Sequence, residues 1–322
     1  PLSMSNTWNC DLIHKMADMT ATEARGKNNK LNLSYWSPTV NMARDPRWGR
    51  NEETFGEDPY LTGQLGIQFV SGMQGDDENY LKTIATVKHF IANNCEKERR
   101  GGTSVMSEKT LREYYAKVFQ YIVEGADPAS AMSSYNAVTL TRCGETLFDY
   151  IPSAANPYTL TDLLRRNWGF SGYVTGDCGA VADLNDKAAY KQTLFPGEDI
   201  SKIPQSATIA KSIQAGNDID CGNASKPNGL EAVLNGYMSE EELNIAVYRL
   251  FLQRMRVGEF DPDPRYRDIT PDVLEKDEHI AVAEELAEES WVLLKNEDNI
   301  LPLKKDIKNV ALVGALADEA EF

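Results

Sequence analysis

Four places in this sequence gather side chains able to hold and attack a polyhydroxylated molecule. Asp45-Pro46-Arg47-Trp48-Gly49-Arg50 follows one short apolar run, Lys88-His89 a second, Ser133-Ser134-Tyr135-Asn136 a third and Asp177 a fourth. Lys and Arg donate to hydroxyls, a carboxylate accepts two of them at once, and a Trp or Tyr face covers the apolar side of a sugar ring. Glycines on both sides of Asp177, at 176 and 179, allow a ligand close to the backbone, and a carboxylate so placed can attack an anomeric carbon. Singly, each cluster has a plainer reading: an Asp after a strand commonly caps a helix, and an Arg-rich loop is commonly a solvated ion-pair network.

Such groups act together only if the fold brings them to one face. Short apolar runs at Leu31–Trp36, Ile84–Lys88, Ala129–Ser133, Gly172–Thr175 and, more weakly, Asn217–Ile219 read as strands. Amphipathic helices lie between them. One is capped by Asp58 and Pro59 and runs through Leu61, Leu65, Phe69 and Met73 to Gly75. Another opens at Ser107, carries Leu111, Tyr115, Val118, Phe119 and Ile122, and stops at Gly125. A third starts at Ser239 with Glu242 in capping-box spacing and continues through Leu243, Val247, Leu250 and Phe251. The β-then-α rhythm predicts an α/β fold, a parallel sheet or (β/α) barrel whose strand ends share one face.

The rhythm breaks at Glu259-Phe260-Asp261-Pro262-Asp263-Pro264, a proline-rich segment expected to be a linker. A first domain is therefore expected over residues 1–262, and a linker with the start of a second over 263–322. In the latter, a long helix is predicted from Pro271 to Lys295, with Ile280, Ala283, Leu286, Trp291 and Leu294, and a buried strand from Asn309 to Leu316. About sixty residues cannot bury a doubly covered sheet, so this tail reads as the beginning of a further α/β unit.

With 322 residues, 42% hydrophobic and 25% charged, the composition excludes disordered, collagenous and small disulfide-stapled classes. The net charge of −16 argues against nucleic acid and anionic membrane surfaces as partners. No apolar run reaches membrane-spanning length, and Pro1-Leu2-Ser3-Met4 has neither the basic nor the apolar region of a signal peptide, nor the look of a natural beginning. Cys10, Cys95, Cys143, Cys178 and Cys221 are dispersed, signalling neither a zinc site nor a disulfide framework. With three histidines (His14, His89, His279), neither a metal nor a cofactor is expected.

Six segments together resemble glycoside hydrolase family 3, the family of β-glucosidases and β-xylosidases. They are SPTVNMARDPRWGRNEETFGEDPYL at 37–61, TVKHF at 86–90, AMSSYN at 131–136, GFSGYVTGDCGAV at 169–181, AGNDIDCG at 215–222 and ESWVLLKNEDNILPL at 289–303. The resemblance covers nearly the whole chain. It implies a (β/α) barrel joined through a linker to an α/β sandwich, and retaining hydrolysis through a covalent glycosyl-enzyme. Asp177 falls on the family's nucleophile. Arg50, Lys88 and His89 fall on residues that bind sugar hydroxyls in the innermost subsite, and Met132 and Tyr135 on pocket-lining positions. Asp220 falls on a position with a binding or a structural role.

The resemblance also implies what to expect elsewhere. The family's general acid is usually a Glu of the sandwich domain, and an Asp that grips the sugar lies on the first barrel strand; both are expected outside residues 1–322. Retaining hydrolysis uses two carboxyls ~5 to 5.5 Å apart, so half of that machinery is expected here, with poor turnover. The family's N-acetylglucosaminidase branch takes its acid/base from a histidine after the Lys-His motif; IANNCEKERRGG at 91–102 has none. Cys178 and Cys221 resemble the β-xylosidase and α-arabinofuranosidase subgroup. If their sulfurs meet or bridge, they would fill the space of a glucose C6 hydroxymethyl and favour a pentose, the plainer reading being two small buried hydrophobes. The expected substrates are β-linked oligosaccharides or aryl and alkyl β-glycosides, above all β-xylosides. The alternatives are a β-glucosidase of the same family, a non-catalytic sugar-binding fragment, or a barrel aldolase using Lys88 as a Schiff-base nucleophile.

Overall fold

The computed structural model describes residues 1–28, 32–311 and 313–314. Its strands are β1 Ser34–Tyr35, β2 Ile84–Phe90, β3 Thr103–Ser107, β4 Ser130–Ser133, β5 Ala137–Arg142, β6 Glu145–Pro152, β7 Tyr173–Gly176 and β8 Ile219–Asp220. Two compact units are distinguished, Pro1–Ser290 and Trp291–Phe322.

In the first unit the five apolar runs form one parallel sheet, ordered β1-β2-β4-β7-β8, which curls into a half-barrel. Val87, Ala131 and Val174 are fully buried on one face, in the same core cluster as Leu65, Phe69, Phe119 and Ile122 of the covering helices. The alternate residues Thr86, Ser130, Met132, Tyr173 and Thr175 therefore line the inner face. The same parity carries Lys88 and Asp177 onto the inner rim at the strand ends.

Local chemistry fixes the helices. Asp58 accepts the Leu61 N–H at 2.7 Å, with Pro59 in the first turn of Pro59–Gln74. Ser239 and Glu242 form the reciprocal capping box of Glu240–Arg256. Ser107 caps its helix through the Thr110 N–H, but the run widens over Leu111–Tyr115 into a π-turn before continuing as Lys117–Ala126, closed by Asp127 at φ 42°.

Two expectations need correcting in this unit. A second sheet, β3-β5-β6, is not foreseen by the apolar pattern: β3 pairs parallel with β5, and β5 turns antiparallel into β6 through Cys143 and Gly144, both at positive φ. The long helix of 271–295 is two pieces, a 3₁₀ turn Pro271–Val273 and a helix Asp277–Glu289, because Leu274 is extended and Glu275 has φ 52°. Within that helix Val282 and Leu286 reach the core cluster.

In the second unit, Trp291 and Leu294 are exposed and a short 3₁₀ turn spans Glu297–Asn299. Of the strand expected at 309–316, residues 309–311, 313 and 314 are unpaired, a lone strand having no edge to join; Leu312, Ala315 and Leu316 lie outside the described residues.

Candidate active site

The chain after β1 runs beside β2. The Lys88 N–H donates to the Pro38 carbonyl at 3.1 Å and the Val40 N–H to the Lys88 carbonyl at 2.8 Å, which sets Asn41 against His89. Asn41 Nδ2 donates to the His89 carbonyl at 2.9 Å, and Asn41 Oδ1 accepts the His89 N–H at 2.7 Å and faces Nδ1 at 3.1 Å. The Lys88–His89 and Phe90–Ile91 peptide bonds are cis.

The following turn supplies Arg50. Glu53 takes its guanidinium in a fork, at 2.8 Å and 2.7 Å, while Thr39 donates to the same carboxylate at 3.3 Å. These hydrogen bonds hold Glu53 below the usual carboxylate range and keep Arg50 all the more firmly protonated. Lys88 makes no hydrogen bond or ion pair with its ammonium among the described residues. Burial lowers its basicity; the Arg50 charge acts in the same direction, and Glu53 and Asp177 oppose.

Asp177 leaves β7 with its N–H on the Ser133 carbonyl at 3.0 Å, which ties it to the end of β4. Its Oδ1 accepts the Cys178 N–H at 2.7 Å, its Oδ2 stands 3.6 Å from His89 Nε2, and the Tyr135 hydroxyl also lies against the carboxylate. The Tyr135 hydroxyl gives its proton to the Cys178 carbonyl at 2.7 Å. Burial and the nearby Asp177 charge raise that phenol's pKa. Arg99 and Arg100 lie over the Tyr135 ring, 4.8 Å and 5.3 Å from its centroid.

Cys178 and Cys221 form a disulfide. The dispersed cysteines signal no disulfide framework, but of the alternatives left open for this pair the bridge is the one found: a spacing of 43 residues carries no signature, yet two neighbouring strand ends bring the Cα atoms within 4.4 Å. Gly179 has φ 85° and the Arg100 side chain packed where a Cβ would stand, so this turn needs glycine.

Arg50, Lys88, His89, Tyr135, Asp177 and the Cys178–Cys221 bridge thus come together at the carboxyl ends of β2, β4, β7 and β8. Met132 lies buried on the inner face beside Thr175, beneath Asp177. Asp220 is differently employed: its oxygens accept the Ala224 and Ser225 N–H groups at 3.0 Å and 3.2 Å, at the start of helix Ser225–Leu234. Ser133 and Ser134 are spent on Asn217 and Asn136, tying strands together, and the buried Trp48 gives its N–H to Glu96.

The residues that hold the site from behind, Asn41, Glu53, Glu96 and the Arg99-Arg100 pair, went unread in the sequence. Asn41 and Glu53 had one available signal, since both lie inside the 37–61 segment flanking Arg50. Among the described residues no group of three or more His, Cys, Asp or Glu side chains is arranged to hold a metal ion.

Residues 1–252 match the glycosyl hydrolase family 3 N-terminal domain. The chain is 36% identical to the exo-1,4-beta-xylosidase xlnD of Emericella nidulans over its full length, which is 38% of that protein. It is 33% identical to a xylan 1,4-beta-xylosidase of Xylanibacter ruminicola, over 98% of this chain and 36% of the relative. Among solved structures, an exo-beta-xylosidase (XlnD) in complex with a xylobiose aziridine activity-based probe aligns with a TM-score of 0.84 at 35% identity, over 96% of this chain and 38% of that one. Beta-glucosidase 3B of Thermotoga neapolitana aligns with a TM-score of 0.72 at 28% identity, over 94% and 37%. The chain therefore spans about two fifths of the length of these relatives.

Proposed function

The chain belongs to glycosyl hydrolase family 3, and from that premise we propose that it is the nucleophile-bearing part of a retaining β-glycosidase that acts on β-xylosides. The half-barrel is then a TIM-like (β/α) barrel lacking its first strand. Residues 1–262 form that barrel domain; 263–322 form the connection and the start of an α/β sandwich.

One observation carries the reading: Asp177 stands at the end of a central strand with Oδ1 held by a backbone N–H and Oδ2 turned toward His89 at the pocket. The bonded Oδ1 fixes the carboxylate's direction, and Oδ2 keeps a lone pair for attack. Oδ2 bonds to C1 of the sugar while the glycosidic C–O bond breaks and the leaving oxygen takes a proton from a second carboxyl, supplied from beyond these residues. Water, giving its proton back to that second carboxyl, then attacks C1 and the C1–Oδ2 bond breaks to release Asp177. Arg50 and Lys88 donate to ring hydroxyls, Tyr135 forms a wall and Met132 the floor. Lys88 is a binding cation in this scheme, so the aldolase reading is set aside.

The disulfide supports the pentose preference. It places two sulfurs beside the nucleophile, where the hydroxymethyl of a hexose needs room and a xylose has only hydrogen. The sugar-binding role of Asp220 has less support, because both of its oxygens already accept backbone N–H groups.

Labelling tests this. 2-Deoxy-2-fluoro xylosides and glucosides with excellent leaving groups need no acid to glycosylate the enzyme and leave it slowly. Intact mass should rise by one fluoroxylosyl unit, peptide mapping should place it on Asp177, and the glucoside should react more slowly. A folded chain that takes up neither sugar overturns the reading, and a faster glucoside overturns the pentose assignment in favour of a β-glucosidase.

A further inference from the structure

His89 is 1% exposed and Asn41 3%, and between them they settle where a ring proton sits. Asn41 Nδ2 points to the His89 carbonyl, so its oxygen necessarily occupies the other side, where it accepts the His89 backbone N–H. That same oxygen is 3.1 Å from His89 Nδ1. An amide oxygen is only an acceptor, so Nδ1 must carry the proton. The backbone of His89 thus dictates the orientation of Asn41, and Asn41 dictates the tautomer of His89.

The consequence falls on the opposite nitrogen. In the neutral ring Nε2 is a bare lone pair, 3.6 Å from Asp177 Oδ2, too far for a hydrogen bond and with no proton between two acceptors. The charged groups facing the ring are Asp177 from β7, Lys88 from β2, Arg50 from the turn after β1 and Arg99 from the loop after β2. Burial and the three cations push the imidazole well below its usual pKa, leaving it neutral at working pH.

We infer that Asn41 is a positioning residue that locks His89 as its Nδ1–H tautomer, so that Nε2 accepts a substrate hydroxyl and gives no proton to Asp177 Oδ2. The lock does two things. It assigns His89 an acceptor role in a pocket whose two cations, Arg50 and Lys88, only donate; a sugar hydroxyl can then take a bond from a cation and return one to the ring. It also protects the nucleophile, since an Nε2–H beside Oδ2 would hydrogen-bond the attacking oxygen and weaken it. The substrate half of this inference rests on the glycosidase reading; the tautomer does not.

The test separates the two. In a ¹⁵N-labelled chain, His89 is assigned among three histidines by its loss in His89→Gln, and its ring nitrogens are read by long-range proton–nitrogen correlation. The expected spectrum shows a protonated Nδ1 and a bare Nε2 at neutral pH. An Nε2–H tautomer or an imidazolium at neutral pH overturns the inference without any sugar present. Asn41→Asp keeps an acceptor at Nδ1 but adds a charge that favours the imidazolium. Labelling by the fluoroxyloside should then slow on the order of 100-fold near neutrality, with inactivator affinity changed far less, and recover as rising pH strips the second proton. A loss of rate equal at every pH, with the ring still neutral, would reduce Asn41 to a structural part. Should Asn41→Asp fail to fold, the spectrum of the unaltered chain still decides. A correct tautomer in a chain that no sugar labels counts against the glycosidase reading alone.

Discussion

Asp177-Cys178-Gly179 and Asp220-Cys221-Gly222 are the same tripeptide at the ends of adjacent strands, joined to each other by a disulfide. Their carboxylates are employed in opposite ways. The ladder pairs Gly176 with Asp220, so Asp220 stands in register with the residue before Asp177. With a side-chain period of two, that offset of one aims the two carboxylates differently. Asp177 meets the inner rim with one backbone N–H on its carboxylate, and Asp220 meets the start of a helix, where two backbone N–H groups consume it. A carboxylate's chemistry here follows from how many of its acceptor sites the backbone has already taken.

The largest test of this contrast compares Asp177→Ala with Asp220→Ala in the labelling assay. Asp177→Ala should lower the rate by at least ~10³-fold with the circular dichroism unchanged, and Asp220→Ala should leave it within about twofold. Comparable losses at both positions would erase the distinction. Next in size is the link between the two tripeptides. Replacing Cys178 and Cys221 together by Ser should cost about 2–4 kcal/mol in urea unfolding and narrow the xyloside-over-glucoside rate ratio. An unchanged ratio would mean that the bridge is a staple and not a pocket wall. Smallest is the cap itself: Asp220→Ala should destabilise by about 1 kcal/mol, since two N–H groups at a helix start lose their acceptor. A loss several times larger would show that Asp220 supports more than that helix.

The sequence announced the main sheet because its three central strands, β2, β4 and β7, are runs buried on both faces, and the helices because Asp58, Ser107 and Ser239 carry their caps in the chain. The second sheet was silent for the converse reason. β3 and most of β6 are partly exposed, and the turn between β5 and β6 puts Cys143, not Asn or Asp, at the first left-handed position. Of the site, the groups that face the pocket were legible as residue types that donate, accept or attack. Those that aim them were not. Asn41 acts through His89 alone and Glu53 through Arg50 and Thr39, and nothing in residue type distinguishes an Asn that clamps a histidine from one that fills a turn. The helix of 271–295 was overdrawn because apolar spacing continues through Leu274 and Glu275, where the backbone leaves the helical region.

The second sheet also divides labour within the pocket. The Ala137 N–H of β5 holds the Gly102 carbonyl at 2.9 Å, and the Tyr190 hydroxyl accepts the Gly101 N–H at 3.1 Å; both anchor the loop that lays Arg99 and Arg100 over Tyr135. None of these ties touches the rung that seats Asp177 on Ser133. The wall is thus a cassette plugged into the gaps between strands of the main sheet, and Asp177 belongs to the frame. On the proposed function, rewriting the hairpin and its loop changes the range of sugars admitted and leaves the attacking residue in place.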